Sequence, residues 1–180
     1  ESKTKKYYSH IIYSDDYGDN WKIGGTTPQD YVNESTVAEI EGGGLMLNMR
    51  NYDRTQNTRK VSISYDGGEN WGDIYGDKEL IEPICQASLL RYSTRGREDN
   101  IMLFLNPSHE KLRVNMTLKV SEDLGKSWVS SKVLYSGPSA YSDMTKLKDG
   151  SVGCLFEAGI QSAYEGIVFQ TINYEHLLNF

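Results

Sequence analysis

One eight-residue pattern occurs three times in this chain and constrains its fold more than any other feature. The copies are Ser14-Asp15-Asp16-Tyr17-Gly18-Asp19-Asn20-Trp21, Ser64-Tyr65-Asp66-Gly67-Gly68-Glu69-Asn70-Trp71 and Ser121-Glu122-Asp123-Leu124-Gly125-Lys126-Ser127-Trp128, which share S-x-D-x-G-x-x-W. They begin 50 and then 57 residues apart, the length of one blade of a β-propeller. Each shared position has a task in a hairpin. The Asp accepts hydrogen bonds from turn amides, the Gly takes positive φ, and the Trp fills the space beneath the turn. Turn chemistry accounts for every fixed position, so the boxes read as fold residues that do not touch a ligand.

Composition fits a sheet-rich chain with many tight turns: 13 Tyr and 17 Gly stand against only 4 Pro. Runs with two-residue alternation lead into the boxes. These are His10–Ser14, Lys60–Tyr65 and Arg113–Ser121, each expected as the penultimate strand of a blade. Between the first and second boxes lie Thr36–Ile40 and Leu45–Arg50, joined at Glu41-Gly42-Gly43-Gly44; between the second and third lie Cys85–Tyr92 and Asn100–Asn106. Lys132–Ser136, Tyr141–Leu147, Ser151–Glu157 and Gly166–Asn173 follow the third, the middle pair joined at Asp149-Gly150, and residues 174–179 suggest a helical turn.

The expectation is an all-β chain with about three blades of four-stranded antiparallel sheet. It opens near the third strand of one blade, contains two whole blades and ends after three strands of another. Three blades cannot close a ring and would leave long unpaired edges. A second chain, a cleaved N-terminal half or a further segment is therefore expected to supply the rest.

Charge and cysteine content narrow the function classes. A net charge of −6 argues against a nucleic-acid or membrane-surface role, and no apolar run approaches the length of a membrane span. Cys85 and Cys154 lie 69 residues apart, with no CxxC pair and no cluster of histidines nearby. They read as buried thiols, and no metal or cofactor is expected.

Six short stretches outside the boxes carry a specific resemblance. Asn33-Glu34-Ser35-Thr36-Val37-Ala38-Glu39, followed by Leu45-Met46-Leu47-Asn48-Met49-Arg50-Asn51, resembles the sialidase segment that holds the catalytic Glu and the second arginine of that family's triad. Pro83-Ile84-Cys85-Gln86-Ala87-Ser88 and Asn106-Pro107-Ser108-His109, with Arg113-Val114-Asn115-Met116-Thr117, resemble the stretch ending in the third arginine. Gly137-Pro138-Ser139-Ala140-Tyr141-Ser142 resembles the nucleophile site. These motifs run in family order over nearly all of the chain, between the same boxes.

The resemblance implies that residues 1–180 are the C-terminal half of the catalytic domain of a six-bladed propeller, a retaining exo-α-sialidase acting on sialylated glycans. It also implies a secreted, periplasmic or cell-surface setting. Tyr141 would be the nucleophile and Glu34 its base, with Arg50 and Arg113 binding the substrate carboxylate. Gln86 resembles a pocket residue, and Glu157 a glutamate that orients an arginine of the triad. The family's acid/base aspartate and first arginine, the latter in an Arg-Ile-Pro context, precede the boxes seen here, and no Arg-Ile-Pro occurs in this chain.

The chemistry explains why these residue types suit that substrate. Sialic acid carries a carboxylate on its anomeric carbon, so a carboxylate nucleophile would meet like charge at the centre it attacks. A phenol avoids this. With an ordinary pKa near 10 it needs a nearby base, and sialidases are the known tyrosine exception to the two-carboxylate scheme. In Leu45–Arg50, alternation puts Met46, Asn48 and Arg50 on one face, so that Arg50 can face a central cleft.

Other charged residues have plainer readings. Arg95 and Arg97 belong to a polar loop, Glu39 and Glu41 are strand-end charges, and His109 is an exposed loop residue. Two further functions fit the same motifs: a trans-sialidase using the same residues, and a non-catalytic sialic-acid-binding propeller. Boxes alone fit the latter equally well; Tyr141 and the two arginines favour an enzyme.

Overall fold

A computed structural model describes residues 5–93, 100–173 and 175, and over them the chain is all-β. Strands β1 (His10–Tyr13) and β2 (Lys22–Thr26) pair as a two-stranded sheet. Strands β3 (Val32–Glu39), β4 (Leu45–Asn51), β5 (Thr58–Ser64) and β6 (Tyr75–Ile81) form a second, four-stranded antiparallel meander. Then come β7 (Ser88–Tyr92), β8 (Ile101–Pro107), β9 (Val114–Ser121), β10 (Ser130–Lys146), β11 (Val152–Ala158) and β12 (Gly166–Ile172), hydrogen-bonded in sequence order.

This last run is two blades joined by a shared strand. Residues 130–138 of β10 pair with β9, and residues 139–146 pair with β11. Lys132–Ser136 and Tyr141–Leu147, expected as separate strands, are therefore one strand of 17 residues. Register shifts at Val133/Tyr135, Tyr135/Pro138 and Ser139/Ser142 absorb the change of partner, as bulges do. The blade count matches expectation: the last two strands of one blade, two full blades, and three strands of a fourth.

Each box closes the hairpin between the third and fourth strands of its blade. In all three, the Ser hydroxyl donates to the Asp Oδ1 and accepts the Gly amide, while the Asp accepts the amide of the seventh residue. The fourth and fifth residues both have positive φ, at Tyr17/Gly18, Gly67/Gly68 and Leu124/Gly125, the requirement of a type I′ turn. Bonds from Asn20 and Asn70 hold the Asp16 and Asp66 carboxyls down at about 2.

The box tryptophans differ in what they meet. Trp71 is buried, and its Nε1–H donates to Gly25 O of the preceding sheet at 3.1 Å; a Cβ on Gly25 would lie 2.3 Å from Glu69 O, so only glycine allows this approach. Trp128 Nε1–H likewise donates to Asp77 Oδ2 of the preceding sheet at 3.0 Å. Trp21 is 62% exposed and bonds Gly18 O of its own turn.

Alternation along each strand feeds two cores at once, because the sheets pack face against face. Leu47 and Met49 of β4 pack with Val32 and Trp71 toward the first sheet, while Met46 packs with Leu89, Met102 and Phe104 of the next blade. On β8, Met102 and Phe104 face that same interface; Ile101, Leu103 and Leu105 turn the other way, onto Val152, Cys154 and Phe156. Every residue of β8 is buried, and residues 101–105 of it form one unbroken apolar run. Both cysteines are buried and free, and burial pushes the Cys154 thiol up to about 12. No helix among the described residues is long and apolar enough to cross a membrane. The helical turn expected at 174–179 lies, Glu175 apart, outside the described residues, as do Arg95 and Arg97.

Candidate active site

The stretches carrying Glu34, Arg50, Arg113 and Tyr141 converge at the end of the sheets opposite the boxes. Leu45 of β4 pairs with Ser64, the first residue of the second box. Arg50 is five residues farther along, about 17 Å away at the usual strand rise. Its neighbour strand contributes Glu34, which sits at a register shift between Val32 and Ser35. Tyr141 sits at the corresponding irregularity of β10, between Ser139 and Ser142. The two bulges re-aim side chains that a regular ladder would send elsewhere.

Glu34, Arg50 and Tyr141 form a closed triangle. Tyr141 Oη–H donates to Glu34 Oε1 at 2.6 Å, Arg50 Nη1 donates to Glu34 Oε2 at 2.7 Å, and Arg50 Nη1 also lies 3.2 Å from Tyr141 Oη. Burial alone would push the Glu34 carboxyl up. The hydrogen bonds from Tyr141 and Arg50, with the charges of Arg50 and Arg113, outweigh it and hold Glu34 below its ordinary value. The hydrogen bond to Glu34, together with burial, pushes the Tyr141 phenol up against the pull of Arg50. The resting site thus holds an ionised Glu34 accepting the proton of a neutral Tyr141.

Arg113 stands across the Tyr141 ring, with its Cζ 5.8 Å from the ring centroid. Its Nη1 donates to Tyr164 Oη at 2.5 Å and its Nη2 to Ile84 O at 3.2 Å. Its own carbonyl accepts the Ser139 amide at 2.8 Å, two residues before Tyr141. Arg50 Cζ lies 4.9 Å from the centroid of the Tyr52 ring, and among the described residues its Nη2 donates no hydrogen bond while its Nε is buried without a partner. Two guanidinium groups thus flank one phenol with donors to spare, the arrangement that recognises a planar oxyanion.

Gln86 and Glu157 sit behind the tyrosine. Gln86 Oε1 accepts the Ser142 amide and its Nε2 donates to Ser142 O and Ala87 O, so its amide holds the bulged backbone beside Tyr141. Glu157 Oε2 accepts the Tyr141 amide at 3.1 Å. Both line an open hollow of about 270 Å³ with Leu155, Phe156 and Ile167. His109 uses Nδ1 to accept the Lys111 and Leu112 amides, shaping the loop before Arg113 rather than reaching the site. Among the described residues no three His, Cys, Asp or Glu side chains converge as metal ligands.

The sequence motifs leave Tyr52, Tyr164 and the Ile84 carbonyl unmarked. Tyr52 has a sequence signal in its place two residues after Arg50, the spacing that alternation brings to one face. Nothing local marks Tyr164. It is presented by a loop in which Glu165 accepts the amides of Ile160, Gln161 and Ser162.

The family described as "BNR repeat-like domain" matches residues 1–154. A sialidase from Micromonospora viridifaciens is 34% identical over 160 residues, which cover 85% of this chain and 24% of that protein. Among solved structures, a Hadza microbial sialidase, Hz136, superposes with a TM-score of 0.78 at 32% identity, over 94% of this chain and 32% of its own. An intramolecular trans-sialidase from Ruminococcus gnavus shares the fold, with a TM-score of 0.74 at 23% identity over 93% of this chain and 38% of its own. The chain spans about a quarter of the length of the Micromonospora protein.

Proposed function

The chain belongs to the sialidase family of BNR-repeat propellers, and from that premise we propose that it contributes the C-terminal half of the catalytic domain of a retaining exo-α-sialidase. The observation that carries this reading is the Tyr141 Oη–H···Glu34 Oε1 hydrogen bond of 2.6 Å, between residues 107 apart in sequence. In this scheme Arg50 and Arg113 grip the carboxylate of a terminal sialic acid. Its anomeric carbon then lies over Tyr141 Oη. As the glycosidic bond breaks, the aglycone oxygen leaves with a proton from the acid/base aspartate assigned to the other half, while the phenol oxygen bonds to that carbon and passes its proton to Glu34, giving a glycosyl-tyrosine intermediate. Water, giving a proton back to that aspartate, then attacks the same carbon and breaks its bond to the phenol oxygen, releasing sialic acid as the proton returns from Glu34 to the phenol. Two displacements at one centre retain its configuration.

Gln86 and Glu157 keep the bulge that presents Tyr141, through the backbone amides they hold. The acid/base aspartate and the remaining arginine we assign to the half of the propeller that this chain does not carry, which is also its proposed partner. Sialylated glycans are the proposed substrates.

The test uses the protein containing both halves and a fluorogenic sialoside. Wild type should release sialic acid, Tyr141→Phe should lose at least about a hundredfold in kcat, and Glu34→Gln should lose roughly 10²- to 10⁴-fold. Undiminished turnover by Tyr141→Phe would remove the phenol from the mechanism, and a wild type that binds sialic acid without cleaving it would make the propeller a lectin. Product analysis separates hydrolysis from transfer, which would use the same residues.

A further inference from the structure

Beneath the site lies an ion pair that the mechanism does not use. Arg59 of β5 and Glu82, just after β6, are both fully buried, with Arg59 Nη1 and Glu82 Oε2 2.6 Å apart. The guanidinium is almost wholly committed: Nε donates to Asn48 Oδ1 at 2.6 Å, Nη1 also donates to Cys85 O at 2.7 Å, and Nη2 donates to Asn48 O at 3.4 Å. Glu82 Oε1 accepts the Asn51 amide at 2.6 Å.

Stability alone does not account for such a pair. Desolvating two charges offsets most of their attraction, and apolar residues of like volume usually do as well or better. What the pair grips is informative. Asn48 and Asn51 flank Arg50 on β4. Cys85, held through its C=O by Arg59, follows Ile84, a β-branched residue at φ +56°, where such residues are strained. That strained peptide is the one whose carbonyl accepts a hydrogen bond from Arg113 Nη2.

We infer that Arg59 and Glu82 are positioning residues, one buried pair that fixes the spacing of Arg50 and Arg113 and so the fit of the site to a planar carboxylate. The inference rests on the sialidase reading above. An interaction with the substrate carboxylate persists from ground state to transition state, so its loss should appear in KM and little in kcat. A purely structural role would instead reduce the amount of folded protein and leave KM alone.

In the protein containing both halves, Glu82→Gln should raise KM for a fluorogenic sialoside about tenfold, keep kcat within roughly threefold, and weaken inhibition by free sialic acid in parallel. A folded Glu82→Gln protein with wild-type KM overturns the inference. Should that variant not fold, Ile84→Gly decides the matter: glycine accepts the positive φ without strain but slackens the peptide facing Arg113. KM raised about fivefold at an undiminished thermal midpoint supports the pair's role; unchanged KM overturns it. A wild type that neither cleaves the sialoside nor binds sialic acid removes the sialidase reading itself, and the pair's role with it.

Discussion

Glu34 carries the most consequential electrostatics of the site. Its carboxyl lies below its ordinary value of 4.5 because bonds from Tyr141 and Arg50 overcome the effect of burial. As the proposed base, Glu34 must be ionised to accept a proton, so the proposed activity is expected to fall as pH drops through its folded-state pKa. Since that value is lowered, the acid limb of kcat/KM should lie below pH 4.5. Arg50→Met removes one of the bonds and one of the charges that hold Glu34 down, so its limb should move upward while the rate falls. A pH–rate profile of both proteins checks this; a limb that stays put in the variant would detach Arg50 from Glu34's ionisation. These residues were legible in the sequence because their motifs lie in unbroken segments. Arg59 and Glu82 were not: a lone charged residue in or beside a strand ordinarily reads as solvated, and only packing shows that these two never meet water. The left-handed turn at Ile84 was equally hidden, since a β-branched residue after proline gives no signal for it.

Among the elements, the box hairpin links neighbours as well as closing its own strands. Trp71 reaches across to Gly25 O and Trp128 to Asp77, so each indole welds a blade to the one before it. Trp71→Ala should lower the unfolding free energy by about 3–5 kcal/mol through the cavity it leaves, and urea titration would read it; a loss under about 1 kcal/mol, the scale of an ordinary surface change, would contradict the welding role. Box hairpins and the alternating strands beside them could be placed from sequence because turn residues and two-residue periodicity coincide there. Strand β2, with Lys22-Ile23-Gly24-Gly25-Thr26, has no such alternation. The continuity of β10 was masked by Gly137-Pro138, which reads as a breaker but here is carried through the sheet by bulges.

At the scale of the whole molecule, both ends of the array present apolar side chains. Ile12, Trp21 and Ile23 are exposed on the first sheet, and Ile167, Val168 and Phe169 on the last strand. If the remaining blades cover them, as proposed, Trp21 gains the neighbour that Trp71 has. Trp21→Ala in the protein containing both halves should then cost about as much as Trp71→Ala, some 3–5 kcal/mol. A near-neutral effect would mean that no blade seats there.

Strand β10 gives the molecule one further property. A strand that serves as the edge of one sheet and then of the next cannot be released by either alone. Opening the last blade strips the pairing partner from residues 139–146, and the disturbance runs straight into the ladder with β9. Local breathing is thereby converted into a larger cooperative event with a higher free-energy cost. Tyr141 sits at that seam, so displacing the phenol proposed to be attached covalently to its substrate would disturb two sheets rather than one.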